Sequence, residues 1–451
     1  MKTILVAGAS GFIGQALVEQ LLEDPDVRVI ALSRRARPSS DSRVVWKKCD
    51  LYSLKDVKEA MDSIDCAYYL VHSMIPSAGL TQGTFYDFDL IMADNFVRAA
   101  TQAKIQRIVY LGGLIPADKT KLSWHLRSRL EVEKTLRTAP CDVITLRAGL
   151  IVGKEGSSFV ILRRLVERLP IMILPSWTST LMEPIALPDV IRILKRALRM
   201  PVEGRSQFDI GGKEKIAYGD LIVKAATILR RNVKTYPINF ISIRLSRFWI
   251  TLVTGVSKSL VYPLVLSLKH EMLVSPDYAW PHPEDIQVKL DEALVEALSG
   301  EDMPKSSPVF TQEHDVRSVQ RMTLPQGKTA EWVSSEYFRW LPSILAPLIR
   351  VNTDGNTLSM RILGLPWTLL ILEKSTDRST PDRQLLYIRG GLLVKNIGRG
   401  RLEFREVLDR KYVMAAIHEY RPSLPWFLYV FTQARFHIWV MKAFGRHLKH
   451  V

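Results

Sequence analysis

The sequence predicts an α/β chain: a doubly wound parallel sheet, followed by a second domain of α+β type. Three observations predict it. The first is a strand–turn–helix at the chain start. Thr3-Ile4-Leu5-Val6-Ala7 runs into Gly8-Ala9-Ser10-Gly11-Phe12-Ile13-Gly14, and an amphipathic stretch with Ala16, Leu17, Leu21 and Leu22 follows. The second is the alternation of short apolar strands with helical stretches that continues from there. The third is a shift near residue 300, after which strand, helix, a series of strands and a last helix succeed one another.

The opening turn has a chemical reading. Gly8 permits the tight turn, Gly11 lets backbone amides approach a pyrophosphate, and Gly14 lets helix and strand pack closely. The helix N-terminus adds free N–H groups and partial positive charge. Gly8, Ser10, Gly11, Phe12, Ile13 and Gly14 are therefore the expected phosphate cradle of a dinucleotide. The second strand, 27–32, leads to Ser33-Arg34-Arg35-Ala36-Arg37. An NAD-selective site places an acid near this point to bind the ribose 2′-OH. Here no carboxylate would repel a 2′-phosphate, and guanidinium groups can grip it. Ser33, Arg34 and Arg35 thus point to NADP(H), with NAD(H) the less favoured cofactor; Arg37 is expected to be solvated. The third strand, 44–49, ends at Asp50-Leu51, and the fourth, 66–71, ends at Val71-His72.

With these elements the chain resembles the extended or atypical short-chain dehydrogenases, a Rossmann-fold superfamily. The resemblance implies that Asp50 and Leu51 bracket the adenine and that Val71 and His72 lie beside the nicotinamide ribose. It also implies a catalytic Ser after strand five and a Tyr-x-x-x-Lys helix, and here the chain departs from the pattern. Strand five, 107–111, is followed by Gly112-Gly113-Leu114, without a hydroxyl. In the helix, His125 and Arg129 occupy the Tyr and Lys positions, on one face at i, i+4. They are the candidate catalytic pair. His125 could shuttle a proton near neutral pH, and Arg129 could bind ribose or phosphate but cannot deprotonate. Glu131 and Glu133 are expected on the helix surface.

Longer runs are more specific. Residues 69–74, 111–114, 122–132, 147–153, 158–159 and 165–172, with Pro175 and Trp177, resemble the bacterial YbjT-like atypical dehydrogenases. These carry a C-terminal domain of unknown function. They group with NmrA-like proteins and the 39-kDa accessory subunit of respiratory complex I, which bind NADP without clear turnover.

Domain boundaries are expected at 1–235 for the nucleotide-binding domain with its substrate-side lobe, and 236–300 for an apolar segment and linker. The segment 239–268 is too interrupted by Arg244, Arg247, Lys258, Gly255 and Pro263 to cross a membrane. Two short amphipathic helices over the substrate cleft fit better. Residues 310–451 form the last domain. A strand is expected at 316–324, a helix at 329–348, antiparallel strands at 356–363, 367–374, 385–394, 400–408 and 411–420, and one long helix at 425–449. On that helix Phe427, Phe431, Ala434, Ile438 and Met441 share a face widened by Trp426, Val430, Val440 and Phe444. The pattern resembles the START or Bet v 1-like helix-grip fold, which implies a small apolar or lipid-like ligand between sheet and helix.

Composition sets outer bounds. The 451 residues are 47% hydrophobic and hold three cysteines, Cys49, Cys66 and Cys141, without disulfide or metal-ligand spacing. A reducing, cytoplasmic location without a signal peptide is expected. The formal net charge of +16 favours contact with an anionic membrane, at its inner face, over nucleic acid, for which no recognition motif is present. Three functions stay open: an NADP-dependent reductase of an apolar carbonyl- or quinone-like substrate, which is favoured; a non-catalytic NADP(H) sensor or respiratory-complex accessory or assembly factor; and a lipid-binding protein.

Overall fold

Apolar strands buried on both faces are stable only inside a sheet covered by helices. The computed structural model, which describes residues 1–74, 80–118, 120, 122–202, 204, 206–238, 243–299, 316–395 and 400–451, shows that arrangement. Strands β1 (Lys2–Ala7), β2 (Val27–Ser33), β3 (Val44–Lys48) and β4 (Cys66–Tyr69) belong to it. So do β6 (Arg107–Gly113), β7 (Asp142–Ala148) and β8 (Gln207–Ile210); β5 (Leu80–Gln82) lies elsewhere. The seven strands are parallel, in the order β8-β7-β6-β4-β1-β2-β3. The order reverses between β1 and β4, the switch point at which such sheets bind ligands.

Helices α1 (Phe12–Leu21), α2 (Leu54–Met61), α3 (Phe85–Ala103), α4 (Trp124–Leu136), α5 (Ser157–Arg168) and α6 (Leu187–Ala197) alternate with the strands. The strands' period of two divides the core. Ile4, Val6, Val29 and Val109 face Leu17 of α1 and Ile191 and Leu194 of α6. Leu5, Ile30, Tyr69 and Ile108 face Val57, Phe96 and Val132 of α2, α3 and α4. A third core joins Phe159 and Leu165 of α5 to α7 (Tyr218–Ile228), α8 (Ile243–Thr254), α9 (Lys258–Ser267) and α10 (Leu290–Leu298), through Leu221, Ile250, Val261 and Leu294. The two short helices expected in 239–268 are α8 and α9. Among the described residues no helix is long and apolar enough to cross a membrane.

The chain divides into two units, Met1–Ile75 with Asp89–Ser306, and Pro76–Phe88 with Ser307–Val451. The second is a mixed sheet with helices. Its strands are β9 (Val316–Thr323), β10 (Ile349–Asp354), β11 (Thr357–Ile362), β12 (Thr368–Lys374), β13 (Arg383–Gly390), β14 (Arg401–Val407) and β15 (Tyr412–Tyr420). They run antiparallel in the order β10-β11-β12-β13-β14-β15-β9, and β5 adds in parallel beside β9. Helix α11 (Ala330–Leu345) and the terminal pair α12 (Trp426–Phe431) and α13 (Gln433–His447) pack on this sheet.

Several expectations need correction. The single terminal helix is two, broken at Thr432, whose ψ of −85° is not helical. Gln433 turns its amide to donate to the Tyr420 hydroxyl there. The strand β10 and the three-residue β5 were not anticipated. Leu348 and Ile349 extend an apolar helical pattern, and a three-residue strand is too short to show a period. The strand expected at 385–394 stops at Gly390, because Gly391 turns with φ +116°. Of the proposed core face, Ala434, Val440, Met441 and Phe444 are buried, whereas Phe427 and Phe431 point outward. Of the apolar segment and linker expected at 236–300, residues 239–242 and 300 lie outside the described residues, as do 310–315 of the last domain.

Candidate functional site

The glycine turn is built by close backbone approach. Gly8 has φ +92°, and a Cβ there would stand 2.9 Å from the Leu70 carbonyl oxygen of the neighbouring strand end. A Cβ on Gly14 would fall 2.2 Å from the Gly8 carbonyl oxygen and 2.7 Å from Ala9 Cα. Helix α1 therefore starts in direct contact with the end of β1. Gly11 is its N-cap and supplies no side-chain cap; the Gly11 N–H donates to the Gly8 carbonyl at 2.9 Å. The next amides, of Phe12, Ile13 and Gly14, lack helical acceptors by geometry. Ser10 sits in the turn, its carbonyl accepting from Gln15 Nε2 at 2.9 Å. The Phe12 ring lies over the backbone of Gly153, where a Cβ would come within 2.3 Å of it. A bare-backbone cradle at a helix N-terminus suits a pyrophosphate.

At the end of β2, next to β1, Ser33 is buried and its Oγ accepts the Arg35 N–H at 3.3 Å. Arg34 and Arg35 are exposed. Arg37 is not simply solvated: its guanidinium stacks on Trp46 at 5.3 Å. After β3, Asp50 Oδ1 accepts the Tyr52 N–H at 3.2 Å, and Leu51 is buried with its carbonyl held by Asn95 Nδ2 at 2.9 Å.

The Arg129 side comes together around a residue that sequence reading missed. Asp89 of α3 is 1% exposed and takes a 2.8 Å ion pair from Arg129 Nη2. It also accepts from Ser128 Oγ at 2.8 Å and from the Ser73 N–H at 2.6 Å. Arg129 Nη1 donates to the Val71 carbonyl at 3.3 Å, and the Tyr110 hydroxyl donates to the Arg129 carbonyl at 3.2 Å. Arg129 is thus tied to the ends of β4 and α3. The signal for Asp89 was its helical phase: it shares a face with Ala93, Phe96 and Ala100, all buried. His72 keeps an exposed edge, but the protein around it and then the Arg129 charge push its pKa down.

His125 is half-buried, and its Nδ1 lies 3.1 Å from Ser267 Oγ of α9. Ser267 in turn donates to the Pro263 carbonyl at 3.1 Å. That chain leaves Nδ1 as the protonated nitrogen. Burial, then the charge of Arg129, pushes the His125 pKa down to about 3. The imidazole is neutral at pH 7, and the expected proton shuttle at neutral pH does not fit this environment. His125 borders an apolar cavity of about 100 Å³, with Gly113, Met182, Tyr218, Leu264 and Met272. One water takes roughly 10–15 Å³ on this measure, so a small organic group has room. Glu131 and Glu133 are not on the helix surface. Both are buried, and Glu133 takes two bonds, 2.9 and 2.7 Å, from Arg147.

Comparison with known proteins agrees with this geometry. Residues 4–211 match the NAD dependent epimerase/dehydratase family. A 110-residue stretch, 24% of this chain, is 33% identical to auxiliary protein GraX of Staphylococcus aureus, and it spans 36% of that protein's length. Among solved structures, a nucleoside-diphosphate-sugar epimerase from Staphylococcus aureus superposes with TM-score 0.51 at 16% identity, covering 66% of this chain and 100% of its own. The triphenylmethane reductase of Citrobacter sp., solved with NADP(H), gives TM-score 0.51 at 17% identity, covering 65% of this chain and 100% of its own. Residues 4–211 are therefore a Rossmann-like α/β domain that is similar, over somewhat less than half of the chain, to the NAD dependent epimerase/dehydratase family.

Proposed function

We propose that this protein is an NADP(H)-preferring oxidoreductase acting on an apolar, carbonyl- or quinone-like substrate. The observation that carries the reading is the apolar cavity beside Gly113 and His125, at the C-terminal end of the sheet that holds the glycine cradle. Arg34 and Arg35 at the end of β2, where an acid would select NAD, support the choice of cofactor. Gly8, Ser10, Gly11, Phe12, Ile13 and Gly14 would hold the pyrophosphate; Asp50 and Leu51 the adenine; Val71 and His72 the nicotinamide ribose. NADP(H), when bound, supplies or takes the hydride. The chain's own residues exclude water with the apolar wall and orient a substrate oxygen. A neutral His125, its Nδ1–H donated to Ser267, leaves Nε2 as an acceptor that would hold the hydroxyl of the reduced substrate, or a single water that donates to the substrate oxygen and relays the proton of a reduction from solvent. Arg129 is a positioning residue, held by Asp89.

A second reading has its own support. The usual Ser, Tyr and Lys are missing, His125 is neutral and Arg129 is committed to Asp89. A non-catalytic NADP(H) sensor or accessory factor would need no more, and GraX, an auxiliary protein by name, lends that reading a precedent. For the second unit we favour a START-like helix-grip fold, supported by β9 closing beside β15 and by the terminal helix on the sheet. Its space for a lipid-like ligand is narrowed by Tyr337, Phe404 and Phe444, whose rings meet at 5.1–6.1 Å.

The test is a titration of NADPH and NADH against the wild-type protein and Arg34→Ala with Arg35→Ala, followed by turnover on a quinone and carbonyl panel. The reading requires tighter NADPH binding that the double variant loses by about tenfold or more, and NADPH oxidation that falls in His125→Ala. Tight binding without turnover on any substrate would leave the sensor reading.

A further inference from the structure

The end of the chain has an unusual charge distribution. After Glu419 there is no Asp or Glu up to Val451, whereas Arg421, Arg435, Lys442, Arg446 and Lys449 are present. Helices α12 and α13 fold this segment. Their inner face, with Tyr429, Met441, Phe444 and Leu448, is buried in the core of the second unit. Their outer face is apolar where a surface helix should be polar. Phe427 and Phe431 are 64% and 63% exposed, Phe436 and Trp439 44% and 45%.

These rings form a stripe. On α13 and just past its end, Arg435, Trp439, Lys442, Arg446 and Lys449 recur at steps of three or four, and all are exposed; Phe431, at the end of α12 before the break, is exposed beside Arg435. Rings dominate its first half and cations its second. The side chains are also ordered among themselves: Phe436 and Trp439 stack at 5.6 Å, and the Arg435 guanidinium covers Phe431 at 5.1 Å.

We propose that the outer face of α12 and α13 docks on an anionic lipid bilayer, with Phe427, Phe431, Phe436 and Trp439 among the headgroups and acyl ends and Lys442, Arg446 and Lys449 at the phosphates. Interfacial helices combine aromatic or aliphatic residues with a basic polar face in this way. Trp and Phe rings gain from the apolar boundary, and each Lys or Arg near an anionic surface adds roughly fivefold to the partition. The segment after Glu419 has no Asp or Glu side chain of its own to repel such a surface; Glu336 of α11, which meets His447, is buried. The same charge pattern disfavours a second copy as the occupant, since two such faces would meet without an acid to answer their cations. The inference is independent of the nucleotide site and stands whether or not the first unit turns over a substrate.

The experiment is flotation of the full-length protein with vesicles of phosphatidylcholine alone or with about 30 mol % phosphatidylglycerol, at low salt and at about 0.5 M salt. The expected result is binding to the anionic vesicles that falls about tenfold or more at high salt. Phe431→Ser with Trp439→Ser should weaken that binding by about tenfold or more, and so should Lys442→Glu with Arg446→Glu. Both pairs are exposed, and far-ultraviolet circular dichroism and thermal melts check that each variant stays folded. No association of the wild type with anionic vesicles would overturn the proposal, as would equal binding by the Phe431/Trp439 variant. A dimer in sedimentation that this variant abolishes, without vesicle binding, would assign the face to a second copy instead.

Discussion

Replacing Gly14 by Ala tests the cradle most directly. The added methyl would stand 2.2 Å from the Gly8 carbonyl oxygen, about 1.2 Å inside the 3.4 Å at which ordinary contact begins. The obstacle is backbone, so no side chain can swing aside. Helix α1 must move off β1 by about 1 Å, and overpacking of this kind costs about 1–3 kcal/mol of stability. The same shift lengthens charge-assisted hydrogen bonds from the helix amides to a pyrophosphate by about a third. Each such bond is worth about 1.5–3 kcal/mol, so NADPH affinity should fall roughly tenfold to a hundredfold. Gly11→Ala is the control. Its Cβ would meet only the Gly8 carbonyl oxygen, at 3.3 Å, so the apo protein should keep its stability within about 0.5 kcal/mol. The methyl would nevertheless stand between the backbone and a phosphate, so affinity should still fall. Calorimetric titration with NADPH and urea unfolding of both variants measure the pair of effects. Unchanged NADPH affinity in Gly14→Ala, or equal stability losses in the two variants, would refute the reasoning.

Three further outcomes are expected. Asp89→Ala should destabilise the first unit by about 3–5 kcal/mol, because it leaves the buried Arg129 charge without its counterion; a melting temperature within a degree or two of wild type would contradict this. His418, 2% exposed, has its pKa pushed down to about 3, first by burial and then by the Arg401 charge. Its folded value lies below the unfolded value near 6.5, so the stability it contributes is present above pH 6.5 and is lost as pH falls from there toward 3. Glu403 Oε2, 3.0 Å from His418 Nε2, opposes part of that loss, and urea midpoints at pH 7 and pH 5 should differ less in His418→Gln than in wild type. Ser267→Ala should leave NADPH binding intact and lower turnover several-fold through a loosened His125, with the wild-type rate recovered in part by Ser267→Thr; equal kcat in all three proteins would remove Ser267 from the site.

Most of the first sheet was legible because its signals are local. A strand, three spaced glycines and an amphipathic helix lie within twenty residues, and each glycine answers a contact made by its near neighbours: Gly14 against Gly8, Gly8 against the end of β4. Other features depended on chain segments far apart. Asp89 meets Arg129 across 40 residues and Ser267 meets His125 across 142, and no spacing rule connects them. The protein packed around His125 lowers its pKa, and burial is a property of what packs around a side chain. Strand β5 joins a sheet whose other members begin more than two hundred residues later. The outer rings of α12 and α13 show the division plainly. Periodicity put Phe427 and Phe431 on one face with Ala434 and Met441, but the break at Thr432 rotates the two helices relative to that single spiral. The sequence alone determined the alternating strands and helices of the first sheet and the glycine turn at its start. Only tertiary packing decided which charges are paired, which histidines are buried and which aromatic face is left to the solvent, because those depend on distances that the chain closes through space.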